Sequence, residues 1–186
     1  MILPIIAYGH PVLKKMAIEV PDDYKQLDSL LENMWETMYN ANGVGLAAPQ
    51  IGLSYRIFLV DTIQVFEKEE DKEKGIKQVF INAEIIEEEG KPWSYEEGCL
   101  SIPHIKADVE RLSEITIKYQ DADFKSHTKT FDGINARVIQ HEFDHIEGKL
   151  FTEKLKPLKK RFIKRKLEAI KAGNVRADYR MKFYRN

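Results

Sequence analysis

Two histidines with a glutamate between them are the residues of this sequence that most directly indicate chemistry. Residues 141–145 read His-Glu-Phe-Asp-His. Residues four apart share one face of a helix, so His141 and His145 could bind the same metal ion. Glu142 would flank that face, close enough to handle a metal-bound water without being a ligand. This spacing is that of the His-Glu-x-x-His helix of metal-dependent hydrolases.

The sequence around these histidines favours a buried helix. Asp132 is suited to begin it and Gly148 to end it. Apolar residues occupy two sides of the segment, namely Ile134 and Val138 beside the histidines and Ile139, Phe143 and Ile146 opposite. A helix that is apolar on two sides is buried. The alternative is a pair of core histidines that each hydrogen-bond a carbonyl, and the intervening glutamate counts against it.

The single cysteine, Cys99, is the best candidate for a third ligand. A catalytic metal usually takes three protein ligands and keeps one position for water. A thiolate binds divalent transition metals strongly, and the flanking Gly98 would let the backbone approach closely. On its own, a lone cysteine is most often a small buried hydrophobe. The weaker candidates are the acidic residues that follow the histidines, Glu147, Glu153 and Glu168.

A third segment, residues 43–50, reads Gly-Val-Gly-Leu-Ala-Ala-Pro-Gln. Its small side chains would let the backbone of a ligand lie against it. As an extended strand it could pair with a peptide and add that peptide to a sheet. The alternative is a glycine-containing connection with Pro49 as a turn residue. The spacing does not match a phosphate-binding loop.

These three segments resemble the motifs of the peptide deformylase family, in the same order and at similar separations, and the resemblance covers essentially the whole chain. It implies an α+β fold in which small mixed or antiparallel β-sheets pack around a buried central helix that carries His-Glu-x-x-His, with a helix at the C-terminus. It also implies removal of the N-formyl group from the N-terminal formyl-methionine of newly synthesised polypeptides, releasing formate.

The resemblance further implies one Fe(II) per chain, held by Cys99, His141 and His145, with zinc, nickel or cobalt as substitutes. Glu142 would act first as general base and then as general acid. The oxyanion formed at the formyl carbon would be stabilised by the metal, the side-chain amide of Gln50 and the backbone N–H of Leu100. Losing one such donor typically costs about 2.7–4 kcal/mol.

The same resemblance assigns the substrate contacts. The backbone at Gly43 and Gly45 would hold the peptide. Lys106 stands where some members have an arginine near the bound peptide, and His104 also departs from many relatives; both departures concern specificity. The pocket for the methionine side chain would be lined by Val44, Leu46 and Val138.

Three further residues would support the metal ligands without binding the metal. The resemblance pairs Arg111 with Asp144 and gives Glu97 a similar role, although sequence separation shows nothing about contact. Partners of this kind orient the ligands and often matter by about 10–100-fold.

Length and composition indicate one globular domain. The 186 residues are 43% hydrophobic, enough for a substantial core. No apolar run reaches the roughly 18 residues that a membrane helix requires, and the start, Met-Ile-Leu-Pro-Ile-Ile, does not resemble a signal peptide. One cysteine excludes an internal disulfide and suits a reducing compartment. We therefore expect a bacterial cytoplasmic protein.

Periodic patterns predict the elements that must position the motifs. A helix is expected over residues 24–39, behind the cap-like residues 21–23. Residues 67–77, dense in Glu and Lys, indicate a solvated loop. Strands are expected over 56–61, 78–86, 114–120 and 126–131. Pro157 could open a helix that runs to Gly173, with apolar contacts from Leu158, Phe162, Leu167 and Ile170.

Charge is distributed unevenly along the chain. Residues 154–186 hold 13 Lys or Arg against two acidic residues, whereas the whole chain carries −1. Such asymmetry indicates a segment that faces RNA, and in the deformylase family we expect a C-terminal helix that docks on the ribosome near the nascent-chain exit. The alternative is a solvated face that keeps the protein soluble. We assign residues 1–153 to a catalytic part and 154–186 to a basic helix and tail of the same domain, and expect neither membrane nor DNA as a partner.

Two other functions would fit parts of the sequence. A zinc-dependent peptidase of the His-Glu-x-x-His type would leave Cys99 and residues 43–50 without roles. A non-enzymatic RNA-binding module built on the basic segment would bind ribosomes even after Glu142→Ala. Cleavage of internal peptide bonds without regard to a formyl group would favour the peptidase.

Overall fold

The computed structural model describes residues 1–184, in which three α-helices and seven β-strands form. The last two residues of the predicted basic segment lie outside the described part of the chain. The helices are α1 (Leu27–Asn40), α2 (Gly133–Ile146) and α3 (Pro157–Lys171). The strands are β1 (Ile5–Ile6), β2 (Gly45–Ala47), β3 (Ile57–Asp61), β4 (Lys77–Cys99), β5 (Ile102–Gln120), β6 (Ser126–Asp132) and β7 (Met181–Lys182).

Five of the strands form one antiparallel sheet in the order β2-β3-β4-β5-β6. Its centre is a long ribbon in which β4 and β5 reverse through a tight turn at Leu100 and Ser101. A second sheet pairs β1 with β7 in parallel. These sheets and the three helices confirm the predicted α+β fold.

Helix α2 is the central buried helix that the two-sided apolar pattern predicted. It contacts β2, β3, β5 and β6. Ala136, Ile139 and Ile146 are completely buried and pack in one cluster with aromatic residues of the sheet, Phe58, Phe80 and Tyr119. Burial on this scale fixes the helix against the sheet, since each fully buried large aliphatic side chain stabilises the fold by about 1.5–3 kcal/mol.

Both predicted ends of α2 are found where expected, with one difference in chemistry. Asp132 occupies the N-cap position, but within the described residues its side chain makes no capping hydrogen bond. At the other end Gly148 has φ +69°, and the bonds Gly148 N–H to His145 O (3.2 Å) and Lys149 N–H to Asp144 O (2.8 Å) close the helix. This is the pattern in which a left-handed residue satisfies the last helical carbonyls.

The predicted strands 78–86 and 114–120 are the outer parts of much longer strands. Residues 87–91 of β4 are exposed, so the apolar alternation on which the prediction relied is absent there. Gly90 and Pro92 are accommodated where the β4–β5 register shifts between Glu89 and Pro92, as bulges allow. Cross-strand hydrogen bonds, not apolar patterning, extend this ribbon to Cys99.

Two other boundaries differ from the predictions. Helix α1 begins at Leu27 and not at residue 24, because residues 21–24 form a separate turn in which Tyr24 N–H donates to Pro21 O. The charged segment 67–77 contains an exposed 3-10 helix, Glu69–Lys74, whose lysines pair with acids three residues away. The strands at 56–61 and 126–131 agree with β3 and β6 to within one residue.

Helix α3 packs on β5, and two of its four predicted apolar contacts, Leu167 and Ile170, are confirmed. Its buried residues are Ile163, Leu167 and Ile170. Leu158 and Phe162, predicted as apolar contacts, are 65% and 70% exposed. For Leu158 and Phe162 the prediction was wrong, because the buried stripe starts at Ile163, one position beyond Phe162. Among residues 1–184, no helix combines the length and apolarity needed to cross a membrane.

We predict that Gly148→Ala destabilises the protein more than Gly133→Ala. Both glycines have positive φ, +69° and +52°, which costs a non-glycine residue about 1–2 kcal/mol. A Cβ at position 148 would also lie 2.9 Å from the backbone of Lys14, whereas none of the described atoms lies within 4 Å of one at position 133. Urea unfolding should show the Gly148 variant to be the less stable by about 1 kcal/mol or more. Equal losses would contradict this contact.

Candidate active site

The three segments singled out in the sequence converge on one point. Cys99 ends β4, and His141 and His145 lie one turn apart on α2. Their potential ligand atoms all lie within 4.8 Å of one another, and Cys99 Sγ is 3.3 Å from His145 Nε2. Cys99 lies immediately before the tight turn between β4 and β5, and its thiol faces the two histidines of α2.

The orientation of the imidazoles suits a metal ion. His141 Nδ1 is 2.9 Å from Glu97 Oε2, which leaves its Nε2 for the site, since a metal-binding histidine usually gives its other nitrogen to a carboxylate. His145 presents Nε2 to the sulfur, and its buried Nδ1 has no hydrogen-bond partner among residues 1–184. One thiolate and two imidazoles suit iron, cobalt, nickel or zinc better than magnesium or calcium.

Glu97 is the centre of a buried network of charges. Its carboxylate accepts hydrogen bonds from Arg111 Nε (2.7 Å) and Nη2 (3.0 Å), and from Arg137 Nη1 (2.9 Å). Arg111 Nη1 also donates to Asp144 Oδ2 at 2.8 Å. The structure thus brings together the supporting residues that the resemblance named. Burial alone would raise the pKa of Glu97, but the hydrogen bonds from His141 and Arg111 outweigh it and hold that pKa well below its usual range.

Arg137 belongs to this network and was missed in the sequence. Its side chain is 2% exposed. Besides Glu97 it donates to Val109 O (2.9 Å) and Trp93 O (2.7 Å), and its guanidinium lies 4.6 Å from the centroid of the Trp93 ring. One signal could have revealed it: an arginine one turn before His141, on a helix predicted to be buried, must have buried partners.

Glu142 is buried beside the ligand cluster, at 4% exposure. Burial raises the pKa of its carboxyl to about 7, against the lowering effect of His141. Among the described residues its Oε2 has no hydrogen-bond partner. A Cβ added to Gly45 would overlap with Glu142 Oε1. The glycine at position 45 is therefore what makes room for this carboxylate.

Gln50 presents its amide N–H groups to the same point. Its Oε1 accepts a hydrogen bond from Ala47 N–H at 2.9 Å. This fixes the amide so that Nε2 points to Cys99 Sγ (3.5 Å) and Ser101 Oγ (3.4 Å). The side chain is 1% exposed. Ser101, which was given no role from the sequence, accepts a hydrogen bond that helps to fix the direction of this amide.

A cavity of about 540 Å³ opens over the ligand cluster. Val44 and Val138, the residues predicted to contact a methionine side chain, line this cavity; the exposed Lys106 also lines it, with its Nζ 3.7 Å from Glu96 Oε1. Leu46 is instead completely buried in the core beside α1, so the prediction that its side chain lines the pocket was wrong. Other lining residues already named from the sequence are Gly43, Gly45, Gln50, Glu97, Gly98, Cys99, Leu100, His104, His141 and Glu142.

The fold and the site together define a class of protein. A thiol and two helix-borne imidazoles can hold one metal ion, and a buried carboxylate lies beside them at the floor of an open cavity. This is the arrangement of a metal-dependent hydrolase.

Comparison with known proteins identifies the family. The sequence profile of the polypeptide deformylases matches residues 2–161. Peptide deformylases from Christiangramia forsetii and Flavobacterium johnsoniae are each 54% identical over 189 aligned positions, covering 98% of this chain and 96% of the relative. The crystal structure of a peptide deformylase from Legionella pneumophila superposes with a TM-score of 0.81 at 38% identity, covering 95% of this chain and 99% of that one.

The chain therefore belongs to the polypeptide deformylase family. It is a metallo-hydrolase that removes the N-formyl group from the N-terminal formyl-methionine of newly synthesised polypeptides, releasing formate. The family also accounts for the segments that a His-Glu-x-x-His peptidase would leave without a role.

We predict that Gly45→Ala abolishes most of the activity while the protein stays folded. The added methyl group would displace the Glu142 carboxylate or β2 itself, and a small misplacement of a reacting group can cost about 100-fold in rate. Gly133→Ala is the control, because residue 133 does not line the cavity and a Cβ there would meet no described atom within 4 Å beyond its chain neighbours and its own helix backbone. Formate release should fall at least tenfold further in the Gly45 variant, with similar melting temperatures for the two. Equal activities would contradict the crowding of Glu142.

Proposed function

We propose that formyl-methionyl peptides are hydrolysed in the cavity between β2 and α2, with one Fe(II) held by Cys99, His141 and His145 and with Glu142 as the proton carrier. The observation that carries the proposal is the position of the buried Glu142 carboxylate, whose Oε2 accepts no hydrogen bond from the described residues, beside three converging ligand atoms. The hydrogen bond between His141 Nδ1 and Glu97 supports the same ligand set, because it leaves His141 Nε2 for the metal.

The metal, when bound, supplies Lewis-acid chemistry that makes water a nucleophile near neutral pH. The ligand set also suits zinc, nickel and cobalt, which we expect as substitutes. Our choice of Fe(II) follows the family resemblance. An iron ion beside a thiolate makes oxygen a hazard, because Cys99 could be oxidised to sulfenic or higher acids.

Glu142 moves the proton in this proposal. Its buried environment raises its pKa to about 7, so that the carboxyl can both accept and release a proton near neutral pH. It would accept the proton of the attacking water and deliver it to the amine that leaves the formyl group. The close approach of Gly45 limits where the carboxylate can go.

Two hydrogen-bond donors would stabilise the negative charge that develops on the formyl oxygen. One is Gln50 Nε2, whose direction is fixed by the bond between Ala47 N–H and Gln50 Oε1. The other is the backbone N–H of Leu100, which belongs to the turn directly after Cys99. Donors fixed before the reaction cost no reorganisation when the charge appears.

The peptide would bind alongside β2. This strand lies at the edge of the five-stranded sheet, and Gly43 and Gly45 border the cavity. An extended peptide can add to such an edge through backbone hydrogen bonds. Val44 and Val138 would contact the methionine side chain, and the exposed Lys106 would face residues further along the peptide.

The outer face of α3 would dock on ribosomal RNA near the nascent-chain exit, which would place catalysis in the bacterial cytoplasm. Lys159, Lys160 and Arg161 are exposed there, and the outward-facing Leu158 and Phe162 add an apolar patch to the basic surface. The inner face of the helix packs on β5 through Ile163, Leu167 and Ile170. This packing supports the proposal that residues 1–153 and the basic segment form one domain.

We predict that Glu142→Ala removes activity without removing the metal. With protein prepared without oxygen and supplied with Fe(II), formate release from a formyl-methionyl tripeptide should fall by about 10²–10⁴, the usual contribution of a general base. Elemental analysis should still find one iron per chain. Cys99→Ala is the comparison variant, and it should lose both iron and activity. An active Glu142→Ala protein would rule out the proposed proton carrier, and one that loses iron as Cys99→Ala does would make Glu142 a ligand.

We also predict that neutralising Lys159, Lys160 and Arg161 to Gln weakens co-sedimentation with ribosomes. A plot of log affinity against log salt concentration has a negative slope, and loss of three phosphate contacts should make that slope less negative by about 2–3. The control neutralises three other exposed lysines: Lys118 on β5, Lys125 just before β6 and Lys129 on β6. If both triple variants bind as the wild type does, α3 is not the docking face.

A further inference from the structure

The C-terminal tail, residues 174–184, takes part in the catalytic cavity. After α3 the chain turns at Gly173, which has φ +77°, and returns across the molecule. Ala177, Asp178 and Tyr179 then line the same cavity as the metal-ligand cluster. The matched family profile ends at residue 161, and the proposed reaction so far gives this tail no part.

The tail is held on both sides of Tyr179. Before it, His104 Nε2 lies 2.5 Å from Arg176 O. After it, Ile5 N–H donates to Arg180 O and Ala7 N–H donates to Lys182 O, each at 2.9 Å. Val175, Met181 and Phe183 also pack against the apolar cluster that joins α3 to β5. Tyr179 therefore projects from a fixed segment.

The hydroxyl of Tyr179 contacts the turn that carries the proposed oxyanion donor. It donates a hydrogen bond to Leu100 O at 2.7 Å. The next carbonyl, Ser101 O, accepts from Tyr8 N–H at 2.9 Å, and Ser101 Oγ accepts from Gln50 Nε2 at 3.4 Å. Because peptide groups are planar and rigid, fixing these two carbonyls limits rotation of the turn. The Leu100 N–H belongs to the preceding peptide, Cys99–Leu100, which meets the peptide held by Tyr179 at the Leu100 Cα.

We infer that Tyr179 is a positioning residue, whose hydroxyl holds the Leu100–Ser101 peptide so that the Leu100 N–H keeps its direction toward the cavity. The inference rests on the proposed role of Leu100 as an oxyanion donor. A residue that acts in this way affects the transition state more than the bound substrate, because the negative charge on the formyl oxygen develops only during the reaction.

The test is Tyr179→Phe, which keeps the ring and the cavity wall but removes the hydroxyl. We expect kcat for a formyl-methionyl tripeptide to fall roughly tenfold, less than the 10²–10³ that loss of an oxyanion donor itself costs. KM should stay within about twofold. Hydrogen exchange of the metal-free protein should show faster exchange at the Leu100 and Ser101 amides. Tyr184→Phe makes the same chemical change in the same tail at a 44% exposed residue, and should change none of these quantities.

Two results would overturn the inference. Unchanged kcat together with unchanged exchange at Leu100 would show that the hydroxyl positions nothing. A rise in KM with kcat unchanged would show that Tyr179 contributes to substrate binding and does not position the Leu100 N–H. Failure of the proposed function would look different: the wild-type protein itself would release no formate, while the exchange measurement would still report on the contact between Tyr179 and Leu100.

Discussion

The carboxylate of Glu97 is buried at the point where three elements meet, and it can be ionised there because it has several hydrogen-bond donors. Arg111 reaches it from β5, and Arg137 and His141 reach it from α2. A buried charge without partners costs several kcal/mol, and breaking a buried pair typically costs about 3–5 kcal/mol. The ribbon and the helix are thereby held in one relative position, and the same bonds orient a histidine of the site.

This arrangement explains why one ribbon and one helix carry nearly all of the chemistry. The end of the β4–β5 ribbon supplies Glu97, Cys99 and Leu100 within four consecutive positions. Helix α2 supplies the imidazoles and Glu142. Gly45 lets β2 approach α2 so closely that the Glu142 carboxylate nearly touches the strand. The edge strand β2, where a peptide could bind, therefore lies next to the Glu142 carboxylate, the proposed proton carrier.

The sequence was sufficient for the features that depend on local spacing. The histidine pair and the C-terminal end of α2 could be predicted because helix periodicity and the left-handed glycine cap act over a few residues; Asp132 marks the start of α2 although its side chain makes no capping bond. It was insufficient where long-range contacts decide. The exposed middle of β4 has no apolar alternation. The position of Arg137 on a buried helix indicates a buried partner, but only the structure shows that this partner is Glu97, 2.9 Å from Arg137 Nη1. On α3, Leu167 and Ile170 were predicted correctly, but only the contact with β5 shows that Ile163, and not Phe162, continues the buried face.

The pairing of β1 with β7 also governs when the enzyme can become complete. Ile5 pairs with Met181, so this small sheet can form only when residues far apart in the sequence come together. Contacts between such distant positions form slowly, since a long loop must close before they stabilise anything. Tyr179 lies two residues before β7, so the segment that brings it to the cavity is held by this pairing. The metal-ligand residues, in contrast, are brought together by α2 and the β4–β5 ribbon, whose contacts are closer in sequence.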